Sequence, residues 1–238
     1  MIELLGVSRR FGDQIAVHDL SLRVEAGELV ALVGGSGSGK TTTLKMVNRL
    51  VEPSAGVVRV AGRDVRGVPG PALRRRIGYC FQQIGLFPHL SVADNIATVP
   101  RLLGWDAARI SRRIEELLAW LELPPDVGAR APDALSGGQQ QRVGIARALA
   151  GEPDLLLMDE PFGALDPVTR DTLQQRFHEI RQRLGITTLF VTHDMAEALR
   201  LADRIAVLAQ GRLLQLDTPR ALLRAPADEV VAQLVATP

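Results

Sequence analysis

Residues 28–50 constrain the fold more than any other stretch of the chain. Glu28-Leu-Val-Ala-Leu-Val33 is an apolar run of buried-strand length. Gly34-Gly-Ser-Gly-Ser-Gly-Lys-Thr41 fits the G-x-x-x-x-G-K-[ST] phosphate-loop pattern, and Thr42 to Leu50 reads as a helix. Strand, glycine loop and helix in this order build a cradle for an anion. The glycines let successive backbone N–H groups curl around it, and the helix adds its unpaired N–H groups and the positive end of its dipole. The pattern predicts that Gly34, Gly35, Ser36, Gly37, Ser38, Gly39 and Thr42 line a phosphate chain. Lys40 is expected to reach the β- and γ-phosphates, and the Thr41 hydroxyl to sit on Mg²⁺. Of 28 lysines and arginines only Lys40 and Lys45 are lysine. A compact ammonium therefore stands in the loop of a chain that otherwise takes arginine, and an ammonium fits a phosphate cradle better than a planar guanidinium does.

The composition, 46% hydrophobic and 23% charged over 238 residues, suits one large domain or a domain with a substantial insertion. Apolar runs such as Leu155–Met158 and Ile205–Ala209 are far shorter than the roughly 20 residues of a membrane span, so a soluble protein is expected. The opening Met-Ile-Glu-Leu-Leu-Gly carries no basic n-region and no cleavage site, so no secretory signal is expected. Cys80 is the only cysteine, which excludes an intrachain disulfide and fits a reducing cytoplasm. A net charge of +1 gives no general field for nucleic acid. Arg74-Arg75-Arg76 and Arg112-Arg113 lack interleaved aromatic residues, so no nucleic-acid binding is expected.

Ile2 to Val7 and Ala16 to Val24 alternate apolar and polar residues, predicting an antiparallel layer with a turn at Gly12-Asp13 that includes Phe11. Val57 to Val60 and Gly78 to Gln82 read as further strands. Ser91 to Leu103 and Asp106 to Leu121 have helical spacing, and in the second the apolar positions are Ile110, Ile114, Leu117, Leu118 and Leu121. Residues 84–134 are therefore expected to form an inserted helical subdomain. Ser136-Gly137-Gly138-Gln139 opens a helix to Ala150 with capping-box spacing, and its two glycines at a helix N-terminus make a candidate second anion site. Leu155 to Met158 is an apolar strand ending in Asp159-Glu160, at the sheet edge where parallel sheets bind ligands. Pro167 to Leu184 reads as a helix, Thr187 to Val191 as a strand ending at Thr192-His193, and Met195 to Leu201 as a helix. A hairpin about Gln210-Gly211 and two short helices follow.

The phosphate loop, then Leu135-Ser-Gly-Gly-Gln139, Leu155-Leu-Leu-Met-Asp-Glu160 and Thr192-His193, in that order, make nearly the whole chain resemble the ATP-binding subunit of ABC transporters. The resemblance implies an α/β fold: a P-loop NTPase core with a mainly parallel sheet and flanking helices, an N-terminal antiparallel layer and an inserted helical subdomain. It implies that Asp159 helps hold Mg²⁺, that Glu160 is the general base for the attacking water, and that His193 contacts the γ-phosphate and that base. Gln82 resembles the glutamine near Mg²⁺ and the water, although the adjacent Gln83 leaves the assignment open by one residue. Phe11 matches the position whose ring stacks on adenine, against the alternative of a hydrophobic plug at a strand end. Ala164-Leu165-Asp166 resembles the D-loop, with Gly163 where the family often has serine. In this family Ser136, Gly137, Gly138 and Gln139 contact the ATP held by another subunit, which implies two chains around two ATP molecules.

Ile84-Gly-Leu-Phe-Pro-His-Leu-Ser-Val92, Lys45 to Pro53 and Val99 to Trp105 are similar to subunits that power import of glycine betaine, choline or carnitine. That similarity implies a membrane permease and a substrate-binding protein as partners, and a place on the cytoplasmic face of the membrane. No separate C-terminal regulatory domain is expected. The competing reading is an ABC-type ATPase that clamps a ribosome, DNA or a division complex. Two such domains in one chain or a long coiled-coil insertion would favour it, and the sequence has neither.

Overall fold

The computed structural model of the protein describes residues 1–163 and 165–236. The strands are β1 (Ile2–Phe11), β2 (Gln14–Val24), β3 (Leu29–Val33), β4 (Ala55–Val60), β5 (Arg63–Asp64), β6 (Ile77–Cys80), β7 (Leu155–Asp159), β8 (Thr187–Val191), β9 (Arg204–Ala209) and β10 (Arg212–Asp217). The helices are α1 (Lys40–Val47), α2 (Gly70–Arg74), α3 (Val92–Leu102), α4 (Ala107–Trp120), α5 (Gly137–Leu149), α6 (Pro167–Leu184), α7 (Met195–Leu201), α8 (Pro219–Arg224) and α9 (Glu229–Ala236). Two compact units emerge, one of residues 1–74, 158–160 and 187 onward, the other of residues 75–157 and 161–186.

In the first unit an antiparallel sheet has the order β2-β1-β4-β5, so the predicted N-terminal layer also takes in strands that follow the phosphate loop. A second sheet has the order β10-β9-β3-β8, with β3 parallel to both β8 and β9. β3 and β8 are buried along their whole length, as strands covered on both faces must be. The start of β3 is fixed by side chains. Leu29 N–H donates to Asp203 Oδ2 at 2.7 Å, and Glu28 takes a two-pronged ion pair from Arg204. β9 and β10 turn at Gln210 and Gly211, whose φ values of 48° and 76° are the left-handed pair a two-residue hairpin needs.

In the second unit α5 is buried over most of its length and packs against α3, α4 and β6. Side-chain caps place the helices: Ser91 Oγ accepts from Asp94 N–H, and Asp106 Oδ1 from Arg109 N–H. Of the five apolar positions the spacing predicts, Ile110, Leu117, Leu118 and Leu121 are buried and Ile114 is half-buried. Gly78 of β6 admits no side chain, since a Cβ there would lie 2.4 Å from the Ala148 carbonyl oxygen. Among the described residues no helix is long and apolar enough to cross a membrane.

Several elements differ from the sequence reading, among them β4, which starts at Ala55 rather than Val57, and β5 at Arg63–Asp64, where a turn is expected. The helix after the phosphate loop ends at Val47 rather than Leu50, because Asn48 Oδ1 accepts the Leu50 N–H at 3.1 Å and Arg49 turns left-handed at φ 55°. β6 stops at Cys80, which leaves Gln82 in a loop. β1 and β2 run on to the hairpin, which places Phe11 in a strand, paired with Gln14. The short helix α2 was not expected.

Candidate active site

The phosphate loop grows out of β3. Gly34 has φ +149°, and a Cβ built on it would stand 2.1 Å from the Leu208 carbonyl oxygen. Gly39 has φ +98°, and its Cβ would meet the Ala16 carbonyl oxygen at 2.5 Å. At these two positions glycine is required by neighbouring backbone as well as by the turn. Gly35, Ser36 and Gly37 are exposed on the loop, Ser38 is buried and Thr42 is half-buried in the first turn of α1. Lys40 does not project from the loop. Its Nζ donates to the carbonyls of Gly34 at 2.8 Å and Gly35 at 2.9 Å and to Ser38 Oγ at 3.3 Å.

The strand ends meet beside α1. Thr41 Oγ1 donates to Asp159 Oδ1 at 2.9 Å, and the Glu160 N–H donates to the Val191 carbonyl at 2.9 Å. Burial lowers the pKa of Lys40, against the pull of Glu160 and Asp159. Burial likewise raises that of Asp159, opposed by its hydrogen bond from Thr41 and by the charges of Lys45 and Lys40. Both shifts have burial as their first cause, and a triphosphate with a divalent cation would bring each group an opposite charge. A buried carboxylate and a threonine hydroxyl are hard oxygen donors, the set Mg²⁺ prefers, so Asp159 and Thr41 fit that ion. Mg²⁺ held there by Asp159 and Thr41 would supply charge neutralisation to the phosphates.

Glu160 adopts a left-handed backbone at φ 46°, unusual for a residue with a side chain. Its Oε2 lies 3.4 Å from His193 Nδ1, and His193 is largely exposed while the Glu160 side chain is only 22% exposed. The pair presents a carboxylate able to accept a proton from water and an imidazole within reach of it. Phe11 is 46% exposed at the hairpin whose Ala16 carbonyl touches Gly39. That exposure argues against the hydrophobic plug. The structure thus brings Gly34–Thr42, Asp159, Glu160 and His193 together in the first unit, with Phe11 on the adjoining hairpin.

The remaining expected residues belong to the second unit. Ser136 and Gln139 form the full capping box: Ser136 Oγ accepts from Gln139 N–H, and Gln139 Oε1 from Ser136 N–H. Gly137 is exposed, and a Cβ there would meet nothing within 4 Å. Asp166 caps α6, accepting the Thr169 N–H at 3.0 Å. Ser136–Gln139, Leu165 and Asp166 line one cavity of about 510 Å³, with Glu122 and Arg142, which sequence reasoning missed, on its wall. Of the D-loop, Ala164 lies outside the described residues. Gln82 is exposed two residues beyond β6.

The loop after Gln82 is held from two sides. Buried Arg147 donates to the Ile84 carbonyl at 2.7 Å and the Gly85 carbonyl at 2.6 Å. Fully buried Asn95 takes the Phe87 N–H at 2.8 Å and returns a hydrogen bond to the Phe87 carbonyl at 3.1 Å. Phe81 and Phe87 nevertheless stay 44% and 42% exposed. Neither Arg147 nor Asn95 carries a signal in the sequence that ties it to this loop.

Glycine-loop cradle, strand-end carboxylates and capped Ser-Gly-Gly-Gln helix together define an ATP-binding cassette. Residues 17–163 match the family model described as ABC transporter, and the chain belongs to that family as an ATP-hydrolysing cassette. It is 55% identical over 98% of its length to the glycine betaine uptake system ATP-binding protein YehX of Escherichia coli, covering 76% of that protein. To the choline transport ATP-binding protein OpuBA of Bacillus subtilis it is 50% identical over 99% of its length, but it spans only 62% of that relative. A solved dimeric structure of the ATP-binding cassette MJ0796, in a post-hydrolysis state bound to ADP and Pi, superposes with a TM-score of 0.83 at 32% identity, covering 92% of this chain and 99% of that one.

Proposed function

We propose that this cassette pairs with a second copy around Mg-ATP and drives import of a quaternary-amine osmoprotectant through a separate membrane permease, supplied by a substrate-binding protein. The observation that carries this reading is similarity, over nearly the whole of this chain, to proteins described as glycine betaine and choline transport subunits, of which it spans 76% and 62%. Solute selectivity then lies in the permease and binding protein, and the cassette works at the cytoplasmic face. In this reading Lys40 and the loop amides hold the phosphates, Asp159, Thr41 and Gln82 serve the metal, Glu160 and His193 handle the water, and Phe11 stacks on adenine. Ser136–Gln139 and Asp166 meet the nucleotide bound by the partner copy, and residues 84–134 form the helical insertion that faces the permease. The test is affinity capture of the cassette from its own membranes, together with uptake of labelled glycine betaine and choline after deletion. Co-purification of a multi-span permease and loss of uptake are expected, whereas capture without a permease returns the clamp reading.

Two substitutions probe the parts. Phe11→Ala is expected to raise the KM for ATP about 5- to 100-fold, the worth of one aromatic stacking contact, with a smaller fall in kcat. An unchanged KM removes Phe11 from the base site. Phe87→Ser tests the exposed aromatic patch as a docking surface for a permease helix. With Phe87 already 42% exposed, the melting temperature and basal ATPase of the isolated cassette are expected to hold while permease binding is lost. A collapse of the isolated cassette, the mark of a core side chain, would refute the docking role.

A further inference from the structure

Arg9 stands two residues before Phe11 on β1, across a register shift in the pairing of β1 with β2. The guanidinium carbon of Arg9 lies 4.4 Å from the centroid of the Phe11 ring. Its Nη1 donates to the Glu52 carbonyl at 2.9 Å, which ties the group to the segment that follows α1. Its Nε is buried with no hydrogen-bond partner among the described residues, so the ring face is the remaining place where this part of the cation is compensated. One face of Phe11 is therefore covered by a fixed cation, and the exposed remainder of the ring is open to a ligand.

We propose that Arg9 is a positioning residue for the nucleotide base. It fixes the plane of the Phe11 ring from behind. By drawing π density toward its charge, it makes the opposite face a better platform for an electron-rich purine. The result is a three-layer stack of guanidinium, phenyl ring and base beside the phosphate loop. This assignment rests on the reading of Phe11 as the adenine platform.

The experiment is a double-mutant cycle on ATP hydrolysis with Arg9→Ala, Phe11→Ala and the pair, alongside Arg9→Lys and competition by inorganic tripolyphosphate. Arg9→Ala is expected to raise the KM for ATP about two- to fivefold while kcat changes by less than about twofold. The inhibition constant of tripolyphosphate, which has no base, is expected to stay the same. Arg9→Lys recovers part of the loss, because an ammonium still places charge over the ring. In the Phe11→Ala background the arginine substitution adds nothing. An equal Arg9 effect without the ring, or an equal weakening of tripolyphosphate, overturns the proposal by showing that Arg9 acts on the phosphates or the fold. A Phe11 effect with no Arg9 effect overturns the role of Arg9 alone, and no effect at Phe11 overturns both readings.

Discussion

Glu160→Gln is expected to bind Mg-ATP normally and to hydrolyse it about 10²- to 10⁴-fold more slowly, the usual worth of a general base. Glutamine keeps the length and shape of the side chain but cannot accept the proton of the attacking water. It also inherits the left-handed backbone at φ 46° at the same cost, so the substitution leaves the strand end where it is. With hydrolysis blocked, the ATP-bound dimer accumulates, and size-exclusion chromatography in ATP should show it at the expense of monomer. Single-turnover hydrolysis near the wild-type rate would remove Glu160 from the base role.

Gly34→Ala is expected to cost more than any other single methyl group in the phosphate loop. The added carbon would sit 2.1 Å from the Leu208 carbonyl oxygen, a backbone atom of β9 that cannot yield without moving the strand. Overpacking and the strained φ together cost about 2–6 kcal/mol, which for a chain of this size lowers Tm by roughly 5–20 °C. ATP affinity falls with it, because the Gly34 carbonyl is one of the acceptors that hold the Lys40 ammonium. Gly37→Ala is the control: φ is +75° but nothing lies within 4 Å, so only the left-handed cost of about 1–2 kcal/mol applies. Calorimetry with and without ATP separates the two variants, and equal melting temperatures would show that the Leu208 contact does not matter.

What the sequence made legible was whatever is written locally. α6, β8 and α7 run over the residues predicted, because Asp166, Gly185 and Asp194 mark the ends with their own side chains or left-handed backbone. The phosphate loop was legible for the same reason, being contiguous. Boundaries failed where a side chain bent the chain unannounced, as Asn48 does beyond α1. The site was opaque wherever two distant segments meet. Nothing in the order of residues announces that a carbonyl of β9 fills the place of a side chain on Gly34, that Glu160 hangs from Val191, or that Arg9 lies over Phe11. The sequence suggested Phe11 and Phe87, but whether either ring was exposed was a matter of packing, which only the tertiary structure decides.

If a permease helix docks at Phe81 and Phe87, as proposed above for Phe87, the double hold on residues 84–87 bears on how fast and how tightly it is captured. Arg147 fixes the carbonyls of Ile84 and Gly85, and Asn95 fixes both backbone groups of Phe87. Confining one residue of free chain on binding costs about 1–2 kcal/mol in entropy, so a floppy loop of this length would subtract several kcal/mol from any association. Here that ordering is completed when the protein folds. A helix arriving at Phe81 and Phe87 meets aromatic rings on a backbone already in place, and the encounter needs no loop rearrangement before it becomes productive. Association would then be governed by diffusion and orientation, and the lifetime of the complex by the fit of the rings alone.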